Sequence, residues 1–438
     1  MGIKVAKFGG SSLACAKSFQ RVSAIVMADP SRCYVVPSAP GKRFSQDDKV
    51  TDLLYVCHDH VQRSLPFSDV FKQISQRYLG IVKELDLDLD LTPELQLIES
   101  NMQKQSTADY AASRGEYLNG IILAAYLGFD FVDPALAVSF DQNGCFNLKR
   151  TEEKLVEVLA SHPRAVIPGF YGAMPNGSIK TFTRGGSDIT GSIIARSIKA
   201  DLYENWTDVS GFLMADPRIV SNPKPISVIT YSELRELAYN GANVLHEAAI
   251  FPVRQVGIPI NIRNTNEPDN PGTMIVRQVD NVDSIGDITG IAGRKDFVIV
   301  SIEKALMNSE LGFVRRLLSI IEDHNVSFEH LPSGIDIVSL VIIESQLAGK
   351  LDQIIAEIRQ QLHPDKVEVF HDIALIATVG QSMAYRSGIA VKLFRALADA
   401  KINVRMIDQG SSEMNIIVGI ENKDFEKAIT AIYQAYNS

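Results

Sequence analysis

The chain has 438 residues, 46% apolar and 22% charged, with a net charge of −9. That length holds about two to four domains with substantial cores. The acidic balance argues against nucleic acid or an anionic membrane as a general partner, and no apolar run is long enough to span a bilayer.

Residues 3–8 predict a strand that opens the chain without a leader, followed by Gly9-Gly10-Ser11-Ser12 and a helix over 14–28. Lys7 is a mobile cation just before the glycines. Glycines let backbone approach a ligand, and a helix start offers unpaired N–H groups. The stretch therefore fits two readings: a phosphate cradle, or the plain turn by which an α/β protein changes direction. It is neither a Walker A loop nor a GxGxxG turn. Residues 33–36 predict a second strand running into Pro37-Ser38-Ala39-Pro40-Gly41. Strand, helix, strand implies a parallel sheet, with both turns on the rim where such sheets bind ligands.

Residues 42–49 read as a mobile polar loop, and 50–63, 67–83 and 93–126 as helices. The Asp/Leu alternation over 85–91 is a connection between helices. Glu116 precedes an apolar run, and its carboxylate faces either a site or solvent. A strand over 129–132 leads to a hairpin around Gln142-Asn143-Gly144, a helix over 151–160 and a strand over 165–170. The strand over 179–182 feeds Thr183-Arg184-Gly185-Gly186-Ser187-Asp188 and a helix over 189–198. This second Gly-Gly-Ser turn carries a cation and an anion, and Asp188 serves either as a helix cap or in a site. A strand over 200–206 ends in Trp206-Thr207-Asp208-Val209, and Ala215-Asp216-Pro217-Arg218 forms a turn. Helices over 231–239 and 244–256 and strands over 259–262 and 273–275 complete the region.

After residue 284 two similar halves follow. The first reads as strand 297–303, helix 312–323, strands 326–331 and 336–344, helix 346–362 and strand 366–370. The second reads as strand 373–379, helix 387–399, strands 403–408 and 414–420, and helix 424–436. This is the ferredoxin-like β-α-β-β-α-β order, and two small tandem modules suit regulation or dimerisation. The four cysteines (Cys15, Cys33, Cys57, Cys145) match no zinc spacing and read as free thiols of a reducing cytoplasm. His58 and His60 have no third ligand nearby, so no protein metal site is expected.

As a set, Lys7-Phe8-Gly9-Gly10-Ser11-Ser12, Ser38-Ala39-Pro40-Gly41, Gly115-Glu116, Gly185-Gly186-Ser187-Asp188, Trp206-Thr207-Asp208-Val209 and Asp216-Pro217-Arg218 resemble the aspartokinases of the amino-acid kinase family. The resemblance covers essentially the whole chain. It implies an α/β fold: a three-layer αβα kinase domain with a mainly parallel sheet over 1–283, then two ferredoxin-like βαββαβ (ACT) regulatory domains. These would cover 296–370 and 371–438, with the strand near 286–295 belonging to the last. The implied reaction moves a phosphoryl group from ATP, with Mg²⁺, to the side-chain carboxylate of L-aspartate, opening the route to lysine, threonine and methionine. A homodimer or higher assembly through the ACT domains is implied, with neither nucleic acid nor membrane as partner.

By the same resemblance Lys7 and Asp188 are the catalytic pair. Lys7, Phe8, Gly9, Gly10, Thr207, Asp208, Arg218, Asn243 and Val244 would line the nucleotide site. Ser38, Thr51, Glu116, Arg184, Gly185, Gly186 and Ser187 would hold aspartate, with Glu116 on the ammonium and Arg184 on the α-carboxylate. No protein metal ligands are implied, because Mg²⁺ is held by phosphates and water. Met307, Gly312, Phe313, Ser327, Phe328 and Glu329 sit where an effector binds, lysine being favoured and threonine the alternative. One departure stands out: Gly241-Ala242-Asn243-Val244-Leu245-His246 has Asn243 where the family carries a lysine. Another amino-acid kinase is the nearest rival reading, and a non-catalytic amino-acid sensor the more distant one.

Overall fold

The computed structural model describes residues 2–104, 107–183, 185–242, 247–279 and 286–437. The chain forms two compact units. One comprises Met1–Phe212, Pro225–Tyr231 and Asn243–Val279, the other Leu213–Lys224, Ser232–Ala242 and Asp280–Ser438.

The first unit begins with β1 (Lys4–Phe8), α1 (Ala16–Met27) and β2 (Arg32–Pro37), then four helices: α2 (Val50–Gln62), α3 (Ser68–Glu84), α4 (Thr92–Gln103) and α5 (Ala108–Leu127). It continues with β3 (Asp130–Phe131), α6 (Leu148–Leu159), β4 (Ala165–Val166), β5 (Tyr171–Ala173), β6 (Ile179–Thr181), α7 (Gly186–Ser197) and β7 (Leu202–Thr207). Two short strands follow, β8 (Phe212–Leu213) and β9 (Pro225–Ile226), then β10 (Val228–Thr230); α8 (Tyr231–Tyr239), next in the chain, belongs from Ser232 onward to the second unit. The last elements are α9 (Glu247–Val256), β11 (Ile260–Asn264) and β12 (Thr273–Val276).

Eight strands form one sheet in the order β10-β12-β11-β7-β1-β2-β4-β3, and every neighbouring pair is parallel except β11–β12. Side chains alternate across a strand, so the central pair β1–β7 divides its work between two faces. Ala6, Phe8 and Trp206 point into the apolar core built by α1 to α5. Phe8 stacks on Trp206 with ring centroids 5.9 Å apart. Lys7 and its cross-strand partner Asn205 take the opposite face, beneath α7. The antiparallel pair β5–β6 stands apart from this sheet. The expected hairpin at 138–148 reduces to a single bridge between Phe140 and Phe146, because α6 already begins at Leu148.

The loop over 42–49, expected to be mobile, is held down. Arg77 of α3 donates to Asp47 at 2.8 Å, Asp48 O at 3.3 Å, Ala14 O at 3.2 Å and also Gly41 O. Arg43 pairs with the same Asp47 at 2.8 Å. The Arg43 hydrogen bonds, with the charge of Arg77 beside them, keep the Asp47 carboxyl well below the ordinary carboxylate range. Removing one partner of a buried ion pair strands the other charge. Arg77→Met should therefore lower the unfolding free energy by about 3 kcal/mol, read from urea midpoints.

The second unit carries β13 (Gly290–Glu303), α10 (Phe313–Asp323), β14 (Ile337–Ile343), α11 (Leu351–Leu362), β15 (Lys366–Val379), α12 (Ile389–Asp399), β16 (Met406–Asp408), β17 (Asn415–Glu421) and α13 (Phe425–Asn437). One five-stranded antiparallel sheet, β14-β13-β15-β17-β16, serves both expected modules. Its two central strands are 14 residues long and run through both lobes. Phe297–Glu303 pairs with β14 and with the first part of β15, while Gly290–Arg294 pairs with Leu375–Val379 at the end of β15. Asp296 (φ 69°) and Asp372 (φ 56°) mark the junction, a backbone region aspartate tolerates better than most side chains. Each lobe keeps its own apolar core, one around Leu317, Ile320 and Ile358, the other around Leu393, Val418 and Ile432. The expected strand over 326–331 is only a bridge, His330 to Val341. Residues 232–239 of α8 are tied into this unit, where Glu233 accepts from Thr289 Oγ1 at 2.5 Å and Gln381 N at 3.0 Å. Among the described residues no helix is long and apolar enough to cross a membrane.

Candidate active site

The turn after β1 and the turn after β2 meet on the predicted rim. Gly41 N donates to Gly10 O at 2.8 Å. A Cβ on Gly10 would lie 2.8 Å from Ala39 O, and one on Gly41 would lie 2.7 Å from the Gly10 carbonyl carbon. Only glycine at both places lets the two turns touch. Beside them opens a cleft of about 570 Å³ lined by Gly10, Ser11, Ser38, Ala39, Lys42, Ser45, Lys49, Thr51, Glu116 and Asp208, among others.

Lys7 stands at the base of this rim. Its Nζ lies 2.5 Å from Asp188 Oδ1, in the first turn of α7, and 3.5 Å from Asn205 Oδ1. Asn205 Nδ2 in turn donates to Asp188 Oδ1 at 2.9 Å. The three side chains hold one another, which fixes an otherwise flexible ammonium. Sequence reasoning misses Asn205. Its only signal is a polar residue in the middle of an otherwise strand-like run, Leu202–Thr207.

Glu116 is the second pole. Gly115 brings α5 against the Ser38–Ala39 turn, since a Cβ on it would sit 2.8 Å from the Ala39 Cβ. Tyr78 of α3 fixes that turn of helix by donating to Gly115 O at 2.7 Å. One helical turn further on, Asn119 donates to Ser38 O at 2.6 Å. The Glu116 carboxyl accepts from the Ala39 N–H, yet its Oε2 is buried with no partner among the described residues. Burial pushes its pKa up to about 8. A cation entering the cleft would satisfy that oxygen. Gly115→Ala should separate α5 from the turn at a cost of about 1–3 kcal/mol, and aspartate-side affinity should fall with it. Differential scanning and substrate titration together check this.

The other predicted residues are placed as follows. Phe8 gives its ring to the core, so only its backbone reaches the rim. Gly9 N donates to Trp206 O at 3.0 Å. Gly185 (φ 59°) caps α7, with Gly186 and Ser187 opening the helix. Thr207 Oγ1 donates to Asp208 at 3.2 Å. Arg218 belongs to the second unit, where it is exposed and paired with Asp216 at 2.6 Å. Arg184, Asn243 and Val244 lie outside the described residues. Lys42, Ser45 and Lys49 line the cleft although their stretch reads in sequence as a plain loop.

Of the residues expected around an effector, Met307 and Phe313 are buried in the first lobe's core, and Gly312 (φ 75°) caps α10. Ser327 and Phe328 are exposed. Glu329 lies 4.0 Å from Arg294 and accepts from the Tyr239 phenol.

Comparison with known proteins gives the family and the fold. The amino acid kinase family profile matches residues 2–264, and an ACT domain profile matches 376–436. The chain is 38% identical to aspartokinase 3 of Bacillus subtilis, over 99% of this chain and 98% of that one. It is 57% identical to the crystal structure of Clostridium acetobutylicum aspartate kinase, described as an allosteric enzyme, with a TM-score of 0.92 over 100% of both chains. E. coli aspartokinase III, solved with aspartate and ADP, shares the fold at 24% identity, with a TM-score of 0.73 over 100% of both chains.

Proposed function

The chain belongs to the amino acid kinase family and, within it, to the aspartokinases, and from that premise we propose how its cleft carries the reaction. As an aspartate kinase it moves the γ-phosphoryl group of ATP to the side-chain carboxylate of L-aspartate. ADP and 4-phospho-L-aspartate are the products. The observation that carries the residue assignment is the pairing, in one unit, of a clamped ammonium with a buried acceptor lacking a partner.

The acceptor carboxylate is already ionised near neutral pH, so no general base is required. What the reaction needs is alignment and relief of charge as the phosphoryl group passes between two anions. Lys7, with the backbone N–H of Gly10, meets the phosphoryl oxygens, while Gly9 ties the turn to β7 through Trp206 O. Asp188 and Asn205 hold the Lys7 ammonium in place. Glu116 receives the substrate ammonium, and Ser38 and Thr51 offer hydroxyls to its carboxylates. Gly185, Gly186 and Ser187 bring the N-terminus of α7, a favourable place for an anion. Arg184 would grip the α-carboxylate, and Thr207, Asp208, Asn243 and Val244 would serve the nucleotide; Arg218, expected there, belongs to the second unit and is not assigned to the nucleotide. Mg²⁺ would enter with the phosphates and keep several waters, neutralising phosphate charge, and the Asp208 carboxylate on the cleft wall suits contact with that water shell.

For regulation, Glu329 and Asp336 in the first lobe are acids suited to an ε-ammonium, which favours lysine over threonine as effector. Leu311, 94% exposed, and Ile335, 71% exposed, support a second copy as partner of this lobe. The four cysteines are free, as a reducing cytoplasm would keep them.

The test is ADP release dependent on aspartate, with hydroxylamine trapping the acyl phosphate. Hydroxamate should form with aspartate and not with glutamate or N-acetylglutamate. Failure to form it from aspartate overturns the reading. Inhibition by threonine with indifference to lysine would reject the effector assignment alone.

A further inference from the structure

The cleft beside Glu116 carries more positive charge than the catalytic pair accounts for. Four charged side chains line it: Lys42, Lys49, Glu116 and Asp208. Lys7 is engaged with Asp188 behind the rim. Arg43, between the two lysines in sequence, turns away and pairs with Asp47. Lys42 reaches only the Ser45 carbonyl, at 3.4 Å, and no carboxylate partner is found for either lysine among the described residues. Both lysines are exposed.

Their placement is not that of side chains on a loose loop. Arg77 pins the segment from inside through Gly41 O, Asp47 and Asp48 O. Lys49 precedes the first turn of α2, two residues before Thr51, which shares the cleft wall. The buried Glu116 Oε2, without a partner among the described residues, independently points to a polar ligand in this cleft.

We propose that Lys42 and Lys49 are substrate-binding residues that hold the carboxylates of aspartate in this cleft. The inference rests on the aspartokinase reading. Among the described lining residues, removal of the two lysines would leave Glu116 and Asp208 as the charged groups facing a substrate of net negative charge. With them, Glu116 meets the substrate ammonium, and the two lysines add positive charge for its carboxylates beside the Arg184 contact. Lysine suits the task because a compact ammonium on a long stem can follow a carboxylate as it moves toward the phosphoryl group. The pinned backbone at Arg77 keeps the stems within reach.

The experiment compares wild type with Lys42→Met, Lys49→Met, the double variant and the double Lys→Arg variant. The expected result is an aspartate KM raised about tenfold or more in the double Met variant, the scale of a lost charge-assisted hydrogen bond. The ATP KM should stay within about twofold, and the Arg variant should recover most of the aspartate affinity, since Arg keeps the charge. The rise of aspartate KM with salt, steep in wild type, should flatten in the double Met variant. Unchanged aspartate KM in a folded double Met variant overturns the proposal, and so does an effect confined to the ATP KM. Unchanged urea midpoints establish that the variant is folded. If wild type itself forms no aspartyl hydroxamate, the functional reading fails instead, so the two failures are distinguishable.

Discussion

Replacing Lys7 by methionine should lower kcat about 10³-fold. The argument is electrostatic. The phosphoryl group crosses between a nucleotide and a carboxylate, and Lys7 is held at the end of β1 by Asp188 at 2.5 Å and Asn205 at 3.5 Å. A preorganised cation in that position costs nothing to orient when charge shifts. Methionine keeps much of the stem and removes only the ammonium. Asp188→Asn should lose much of the same activity, because it frees the ammonium to wander. The double variant should then lose far less than the product of the two single effects, since both act through one group. Single-turnover rates give the cleanest reading. A fully additive double variant would show that Asp188 acts independently of Lys7.

The second large effect is at Glu116. Glu116→Gln should raise the aspartate KM about 100-fold, the scale of removing one partner from a buried charge pair, while leaving the ATP KM nearly unchanged. The pH dependence follows from burial. The carboxyl is raised from 4.5 to about 8 in the folded protein. Between those values the native state holds a proton that the unfolded chain has released. The stability contributed by this group is therefore fully present below about 4.5 and is lost as pH rises through about 8. Glu116→Gln removes that dependence, so the variant should gain on wild type as the buffer is taken from about pH 6 to about pH 9. Function runs the other way. Only the ionised carboxylate pairs with the substrate ammonium, so wild-type kcat/KM for aspartate should climb toward about pH 8, and the variant's should not. Denaturant midpoints and initial rates across the same buffers check both halves.

Much of the first unit is legible in sequence because local signals and global fold agree there. Strand, Gly-Gly-Ser turn and helix recur in sequence at Phe8–Ser12 and Thr183–Asp188, and parallel-sheet logic places the turns after β1 and β2 on one rim, whereas the strand before the second Gly-Gly-Ser turn lies outside that sheet. Glu116 is legible as a candidate but not as a buried one, because its helix is apolar on nearly every face. Asn205 is hidden for a different reason. Its importance comes from the register Lys7↔Asn205, set by strand pairing and not by neighbours in sequence. Arg77 lies 30 residues from the Asp47 it holds, so the loop over 42–49 looks unrestrained in sequence. Lys42 and Lys49 are obscured by the same separation.

In the second unit the repeat is visible, but its joinery is not. Two β-α-β-β-α-β halves are periodic in sequence, whereas the sharing of β13 and β15 depends on a register change at Asp296 and Asp372 that composition does not mark.

That shared pair of strands bears on how such a chain can change across generations. The chain enters the first lobe after Arg294 and comes back at Ile373, and Arg294 faces Leu375 across the ladder. The exit and the return are thus already neighbours. A single in-frame deletion of 296–372 would leave ends that a tight turn can join, with the second lobe's core around Leu393, Val418 and Ile432 untouched. An in-frame deletion can therefore remove the first lobe in one step while Gly290–Arg294 keeps its pairing with Leu375–Val379, and a lineage that lost the lobe by that route would carry a shorter chain instead of a damaged one.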